Sequence, residues 1–470
     1  MKRLLAVVAV ATLLATNAFA QFNANVAGAV EFDTSLIRGN SSKDSILQAG
    51  GTGRREARIQ FTFSNNDVVG GFVRFDAWRD SNADPDLFAT LWWRPIQQVR
   101  FQIGRWRDGE WGGAQITGWG WNGSAQNFVA VDNDDMNERV AASWARRIGY
   151  YGGFGERGAT ISIFPIPNLT LNFGIPFSSR ANSGLFSNNI PSAEQVYSKI
   201  HGQLRYDLPD VGTLRFSIVG GPGYRDAGSK EWGTTATTGV TVPDGVLLPP
   251  APSTGFLYDP TQLHASFFLT MLRPIELDFG VSYFVPVVGD KGSPVIPETT
   301  IYNPVRLGIG FRYTSGAIGL RARLGTAFGG GIKLKDEDLI DYPVVFAINV
   351  LPSYDLGFMR VFFNAGLGIE AVSNWEKVRD NGYIAKTNLG NFSNTGNNTS
   401  TGFIGFSDFV QNESNTVVSW YINPYVSKGI GPASVFAGFK LFSNGVKYDG
   451  DKGDKTVVHW SIPIGMLYNF

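Results

Sequence analysis

The chain has no cysteine, only three histidines and no net formal charge, its 40 basic residues being balanced by 40 acidic ones. Without cysteine there is no disulfide framework, no thiolate zinc site and no lipid-modified lipoprotein terminus. The charge balance gives no basic face for a nucleic-acid partner. His201, His264 and His459 fall in no H-E-x-x-H pattern, and neither G-x-S-x-G nor a phosphate-binding loop occurs. No enzymatic activity, cofactor or metal is therefore expected, although spacing alone leaves open a Ser–His pair brought together by the fold. Beyond the opening segment, no apolar run reaches the roughly 18 residues of a membrane-crossing helix.

The opening segment itself, MKRLLAVVAVATLLATNAFA, carries Lys2 and Arg3, an apolar stretch and Ala18-Phe19-Ala20. This is the pattern of a secretory signal peptide over residues 1–20, with the mature chain expected at 21–470. An exported chain with 35 phenylalanines, 16 tyrosines and 12 tryptophans must face those rings toward a core or toward lipid.

Period-two alternation decides between these. The chain ends VVHWSIPIGMLYNF, with Val458, Trp460, Ile462, Ile464, Met466, Tyr468 and Phe470 on one side of a strand. This run is longer than the 5–6 residues usual in a soluble sheet and near the roughly 9–11 that cross a bilayer as a tilted strand. REARIQFTF, NPVRLGIGFRY and IGLRARLGTAF alternate in the same way, with arginines, glycines and acids opposite the apolar set. A soluble sandwich or propeller would need a second apolar set to bury, and none is present. The pattern predicts an all-β, antiparallel up-and-down transmembrane barrel.

Connections alternate short and long. RPIQQ, FPIPN, YDLPDVG, LRPI and KGIGP are short; the long ones fall near 38–53, 107–157, 177–193, 221–260, 287–302, 329–341, 372–416 and 443–456. Within 107–157, DDMNERVAASWARRIG reads as a helix, not a strand. Asp135 and Glu138 form a capping box, and Met136, Val140, Trp144 and Ile148 form an i, i+4 stripe. Leaving that segment out gives about 18 strands, an even number as such barrels require. A short α-helix in an inward-folded third long loop, about 107–157, is expected.

With a signal peptide, repeated alternation and the terminal strand Trp460…Tyr468-Asn469-Phe470, the chain resembles a bacterial outer-membrane β-barrel porin of the general or sugar-type class. The resemblance implies outer-membrane lipid, the barrel-assembly machinery and small hydrophilic solutes as partners, and a homotrimer with its third loop folded inward. It also implies that Trp460, Tyr468 and Phe470 belong to the assembly signal. The function implied is passive diffusion through a water-filled channel, with no cofactor.

Positions on the polar faces are the candidate pore lining: Arg58, Arg74, Arg100, Arg306, Arg312, Arg321, Arg323, Arg360, Glu56 and Asp76, with Glu276, Asp278 and Glu370 among the further acids. Their basic excess suggests anion preference; equally, the arginines could pair with carboxylates and stiffen the wall. Trp111, Trp119, Trp121, Asp135 and Trp144 are the candidate constriction-loop residues. The tryptophans could stack on sugar rings, or, the favoured reading, anchor the loop by packing. DNDD at 132–135 fails the calcium-loop pattern, since Asn137 and Ser143 stand where glycine and glutamate are required. Two rival functions use the same barrel. A transporter for hydrophobic compounds would need an N-terminal plug, whereas alternation (Val26, Gly28, Val30, Phe32) starts at once. A surface adhesin would act through NLGNFSNTGNNTSTGF, whose composition is that of a solvated loop.

Overall fold

The computed structural model of the chain describes residues 23–40, 48–49, 55–65, 68–78, 86–105, 157–176, 200–219, 225–226, 240–241, 247–248, 256–257, 261–288, 299–302, 305–334, 337–341, 344–373, 414–443, 445, 456 and 458–469. Their main feature is one antiparallel sheet of 20 strands. Two of these do not add a stave. Gln48–Ala49 is a short extension along the first strand, and Ala433–Gly438 and Lys440–Ser443 are one stave interrupted at Phe439. The interruption has a cause in the sequence. The Phe439 N–H donates to the Pro424 carbonyl at 3.0 Å, but proline has no N–H to return.

The remaining 18 staves follow chain order. They are β1 (Asn23–Asn40), β2 (Arg55–Asn65), β3 (Val69–Trp78), β4 (Asp86–Ile96), β5 (Val99–Arg105) and β6 (Arg157–Ile163). Next come β7 (Leu169–Pro176), β8 (His201–Leu208), β9 (Gly212–Val219), β10 (Gln262–Leu269), β11 (Ile275–Phe284) and β12 (Val305–Ser315). The last are β13 (Ile318–Phe328), β14 (Val344–Asp355), β15 (Arg360–Ala371), β16 (Thr416–Ile430), the interrupted β17 (Ala433–Gly438 with Lys440–Ser443) and β18 (His459–Asn469). Each pairs with its successor, and β18 returns to β1 from Ala29↔Asn469 to Asn40↔His459. The sheet is closed, so it has no free edge.

Eight connections are turns of a few residues, such as 97–98, 209–211, 316–317 and 431–432, and they share one end with the start of β1 and the end of β18. The connections at the other end are longer. Besides the eight expected there is one across 79–85, between β3 and β4, which the sequence reading missed. Two of the long connections meet: Val287–Val288, Thr299–Tyr302, Gly331–Leu334 and Glu337–Asp341 form a four-stranded sheet of their own, with Lys333 Nζ 5.6 Å from the Tyr302 ring centre. The expected helix at 135–148, the signal segment 1–20 and Phe470 lie outside the described residues.

Burial alternates along each stave. On β18, His459, Ser461, Pro463, Gly465 and Leu467 are buried, while Met466 and Tyr468 are exposed. On β16 the buried set is Val417, Ser419, Tyr421, Asn423 and Tyr425, and Val418, Ile422 and Val426 are exposed. The exposed side of a closed sheet is its outside, so the barrel is inverted relative to a soluble protein: apolar side chains out, polar ones in. Near the short turns the outside carries Trp93, stacked on Phe101 at 5.8 Å, with Tyr354, Phe358 and Tyr468 at the same end, an aromatic belt at one rim.

Strands approach closely at Gly104 on β5, where φ is +148° and an added Cβ would sit 2.1 Å from the Ala89 carbonyl oxygen. Gly104→Val should cost about 2–4 kcal/mol, lowering the urea midpoint at which folded, fast-migrating protein is lost on unheated gels. An unchanged midpoint would mean that β4 and β5 are not this close.

Candidate channel interior

Inward residues on neighbouring staves meet at fixed levels because the ladder registers align them. The level nearest the short turns holds most charge. Glu276, Arg312 and Arg321 are consecutive cross-strand partners on β11, β12 and β13, and Glu276 forms an ion pair with Arg312. Arg321 lies within electrostatic reach of Arg312, Arg360 and Tyr425. The Arg360 guanidinium sits 5.7 Å from the Phe362 ring, which stacks face to face on Tyr425 at 4.5 Å. On β8 and β9, Arg205 contacts Asp207 at 3.0 Å, and the Thr213 hydroxyl donates to the same carboxylate at 2.7 Å.

One level further in, Phe268, Asp278, Gly310, Arg323, Asn349, Gly366 and Tyr421 are partners in sequence around the wall. Gly310 and Gly366 leave room that longer neighbours can occupy, which accounts for Arg323 and Asp278 being almost wholly buried. Asn349 Nδ2 donates to Asn364 Oδ1 at 2.9 Å and also contacts the Tyr421 hydroxyl, which donates back to Asn364 at 3.2 Å. Buried amides with this many partners are held in one orientation.

A polar row slants across eight staves, from beside the short turns at Arg100 and Ser162 to beside the long connections at Ser282 and Arg306: Arg100, Ser162, Asn172, Gln203, Ser217, His264, Ser282 and Arg306. Asn172 donates to Gln203 at 3.3 Å, Gln203 to Ser217 at 3.1 Å, and the His264 ring contacts Ser282 at 2.7 Å. Arginines close both ends of the row, each over an aromatic face: Arg100 over Trp92 at 5.8 Å and Arg306 over Phe284 at 4.7 Å.

Of the candidate lining residues, Arg74, Arg100, Arg306, Arg312, Arg321, Arg323 and Arg360 share this inward face, Arg74 lying 5.4 Å from the Phe88 ring. Arg58 and Asp76 are cross-strand partners, and Glu56 pairs with Trp78; the side chains of Glu56, Arg58 and Asp76 are not among those described. Trp111, Trp119, Trp121, Asp135 and Trp144 also lie outside the described residues. Trp460 and Tyr468 project outward on β18. His201 and His264 face inward but are not solvated: His201 is buried, and His264 is held between Ser282 and Gln262 with Phe284 edge-on. The amide and hydroxyl row went unseen because alternation gives each residue's face but not its register with neighbours tens of residues away.

No family model and no curated protein matches the chain. Solved structures do. OpdQ of Pseudomonas aeruginosa is 9% identical at a TM-score of 0.47, the match covering 96% of this chain and 98% of that one. The BenF-like porin of Pseudomonas fluorescens Pf-5 is 11% identical at 0.46, covering 95% and 99%. The outer-membrane channel DcaP of Acinetobacter baumannii is 12% identical at 0.41, covering 97% and 99%. These values transfer no property of those proteins to this chain.

Glu276 is the carboxylate ion-paired within the guanidinium cluster of Arg312, Arg321 and Arg360. Glu276→Gln should therefore make the interior more positive and shift the zero-current potential in a salt gradient toward anions. A shift toward cations would contradict this placement.

Proposed function

We propose that the chain is an outer-membrane porin that passes small hydrophilic solutes by passive diffusion, with a preference for anions. The observation that carries this is the inverted barrel, a closed 18-stave sheet with Leu, Ile, Phe and Val exposed outside and Arg, Asn, Gln and Asp inside. In lipid every backbone N–H and C=O must be satisfied within the protein, and a closed sheet is one of the two structures able to do so. The apolar outside supports an outer-membrane location for a strand-crossing protein.

Charge supports the anion preference. The described inward carboxylates are Asp207, Glu276, Asp278, Asp355 and Glu370, against Arg74, Arg100, Arg205, Arg215, Arg306, Arg312, Arg321, Arg323, Arg360 and Lys440. Fixed positive charge on a lumen wall raises the local concentration of anions and lowers that of cations. Arg321 and Arg323 carry the preference best, since they stand on one stave at successive inward positions.

The test is single-channel recording in planar bilayers. The wild type should give stable ohmic steps with the anion-to-cation permeability ratio above unity. Arg321→Glu with Arg323→Glu should bring the ratio below unity in channels that still form. Protein that inserts but never conducts would sink the channel reading. A double variant that keeps its anion preference would place selectivity elsewhere.

A further inference from the structure

Proline belongs at the edges and bulges of a sheet, because it has no N–H for the ladder, and a closed barrel has no edge. Yet Pro352 on β14, Pro424 on β16 and Pro463 on β18 stand within paired staves. The registers bring them to one level. Pro352 stands opposite Phe363, Phe363 is the partner of Pro424, Pro424 stands opposite Phe439, and Phe439 faces Ile462, next to Pro463.

Each proline removes a rung. Pairing of β14 with β15 runs to Val350↔Ala365, skips Leu351 and Pro352, and resumes at Ser353↔Phe362. Between β16 and β17 it stops at Tyr425↔Gly438 and resumes at Ile422↔Leu441. Between β17 and β18 it stops at Ala437↔Ile464 and resumes at Lys440↔Ser461, leaving Gly438 opposite Pro463. The carbonyls of Phe363, Phe439 and Gly438 therefore receive no N–H from the proline that each faces. On the next stave β1 bulges at Leu36, between Ser35↔Pro463 and Ile37↔Ile462. The described pairing of β11 with β12, β12 with β13 and β13 with β14 has no such gap.

The line is a bend and not a slit. The Phe439 N–H still donates to the Pro424 carbonyl at 3.0 Å, and a Cβ added at Gly438 would lie 2.6 Å from Tyr425 Cβ. The staves stay in close contact there, so the lumen does not open to lipid at that point. Missing rungs and a bulge make a sheet easier to bend while the wall remains closed. The line also separates two inward levels. On its short-turn side Phe362 stacks on Tyr425 at 4.5 Å, beside Arg360. On the far side the pairs Asn364↔Asn423 and Lys440↔Ser461 are buried.

We propose that this line is a hinge in the barrel wall. The short-turn part of β14–β18, carrying Arg360, Phe362 and Tyr425, swings on it and changes the width of the channel at that level. The hinge needs the channel function proposed above only for its electrical readout.

The test uses the full chain in lipid nanodiscs, with amide hydrogen exchange followed by mass spectrometry. Peptides across the line, containing Leu351, Phe363 or Phe439, should exchange about fivefold faster than those across the middle of β12 and β13. Pro352→Val combined with Pro424→Val and Pro463→Val supplies the missing N–H groups and should remove that excess. Pro432→Ala, in the short turn after β16, acts through the unfolded chain and should leave it. In planar bilayers at raised voltage the triple variant should hold its open level about fivefold longer before stepping to a lower one. Exchange in the wild type that is no faster across the line than elsewhere overturns the proposal, and this arm stands even if the triple variant fails to fold. Fast exchange that survives in a folded triple variant overturns it too, as do slowed exchange and unchanged open dwell times together. A wild type that inserts and never conducts counts against the channel reading, while its exchange pattern still decides the hinge.

Discussion

The structure depends on one constraint, that backbone hydrogen bonds in hydrocarbon have no water to fall back on. A strand exposing its edge to lipid would forfeit several kcal/mol for each unsatisfied N–H or C=O. Pairing of β18 with β1, from Ala29↔Asn469 to Asn40↔His459, removes both edges at once. The even count and the shared end for the described termini follow from that closure in an antiparallel meander. The interruption of β17 at Phe439 lies opposite a proline that has no N–H to offer.

Closure divides the side chains into two populations, and each then obeys its own physics. Outside, shape and hydrophobicity suffice, and Leu, Ile, Val and Phe alternate with whatever points inward. Inside, polar groups have partners in the wall itself. Asn349, Asn364 and Tyr421 bond one another, and the Asn172–Gln203–Ser217 chain links three adjacent staves. Arginines are supported by rings and carboxylates: Arg306 over Phe284, Arg360 over Phe362, Arg312 on Glu276. The two roles raised for these arginines, stiffening the wall and biasing the field, are thus compatible. A pair such as Arg312–Glu276 fixes geometry, while the excess of guanidinium over carboxylate sets the sign of the interior.

Much of this was legible in one dimension. Alternation in NPVRLGIGFRY and IGLRARLGTAF assigned Arg306, Arg312, Arg321 and Arg323 to the face they occupy, and the terminal run assigned Trp460 and Tyr468 to the outside. Face is a local property, fixed by a period of two. Register is not: that His264 stands between Ser217 and Ser282 depends on two connections, one of them more than 40 residues long. Hence the buried setting of the histidines and the polar row from Arg100 to Arg306 emerged only with the pairing. The connection across 79–85 was missed for a related reason, since it is too short to stand out by length and too polar to alternate.

The inverted barrel is the central claim, and a nitroxide scan of β13 in lipid vesicles tests it directly. Spin labels placed one at a time from Ile318 to Phe328 would be probed by collision with lipid-soluble oxygen and with a water-soluble nickel chelate. Oxygen contact should peak at even positions such as Leu320, Ala322 and Leu324, with chelate contact favoured at odd ones, a period of two in opposite phase. Inverted phases, or one probe dominating at every position, would contradict the account.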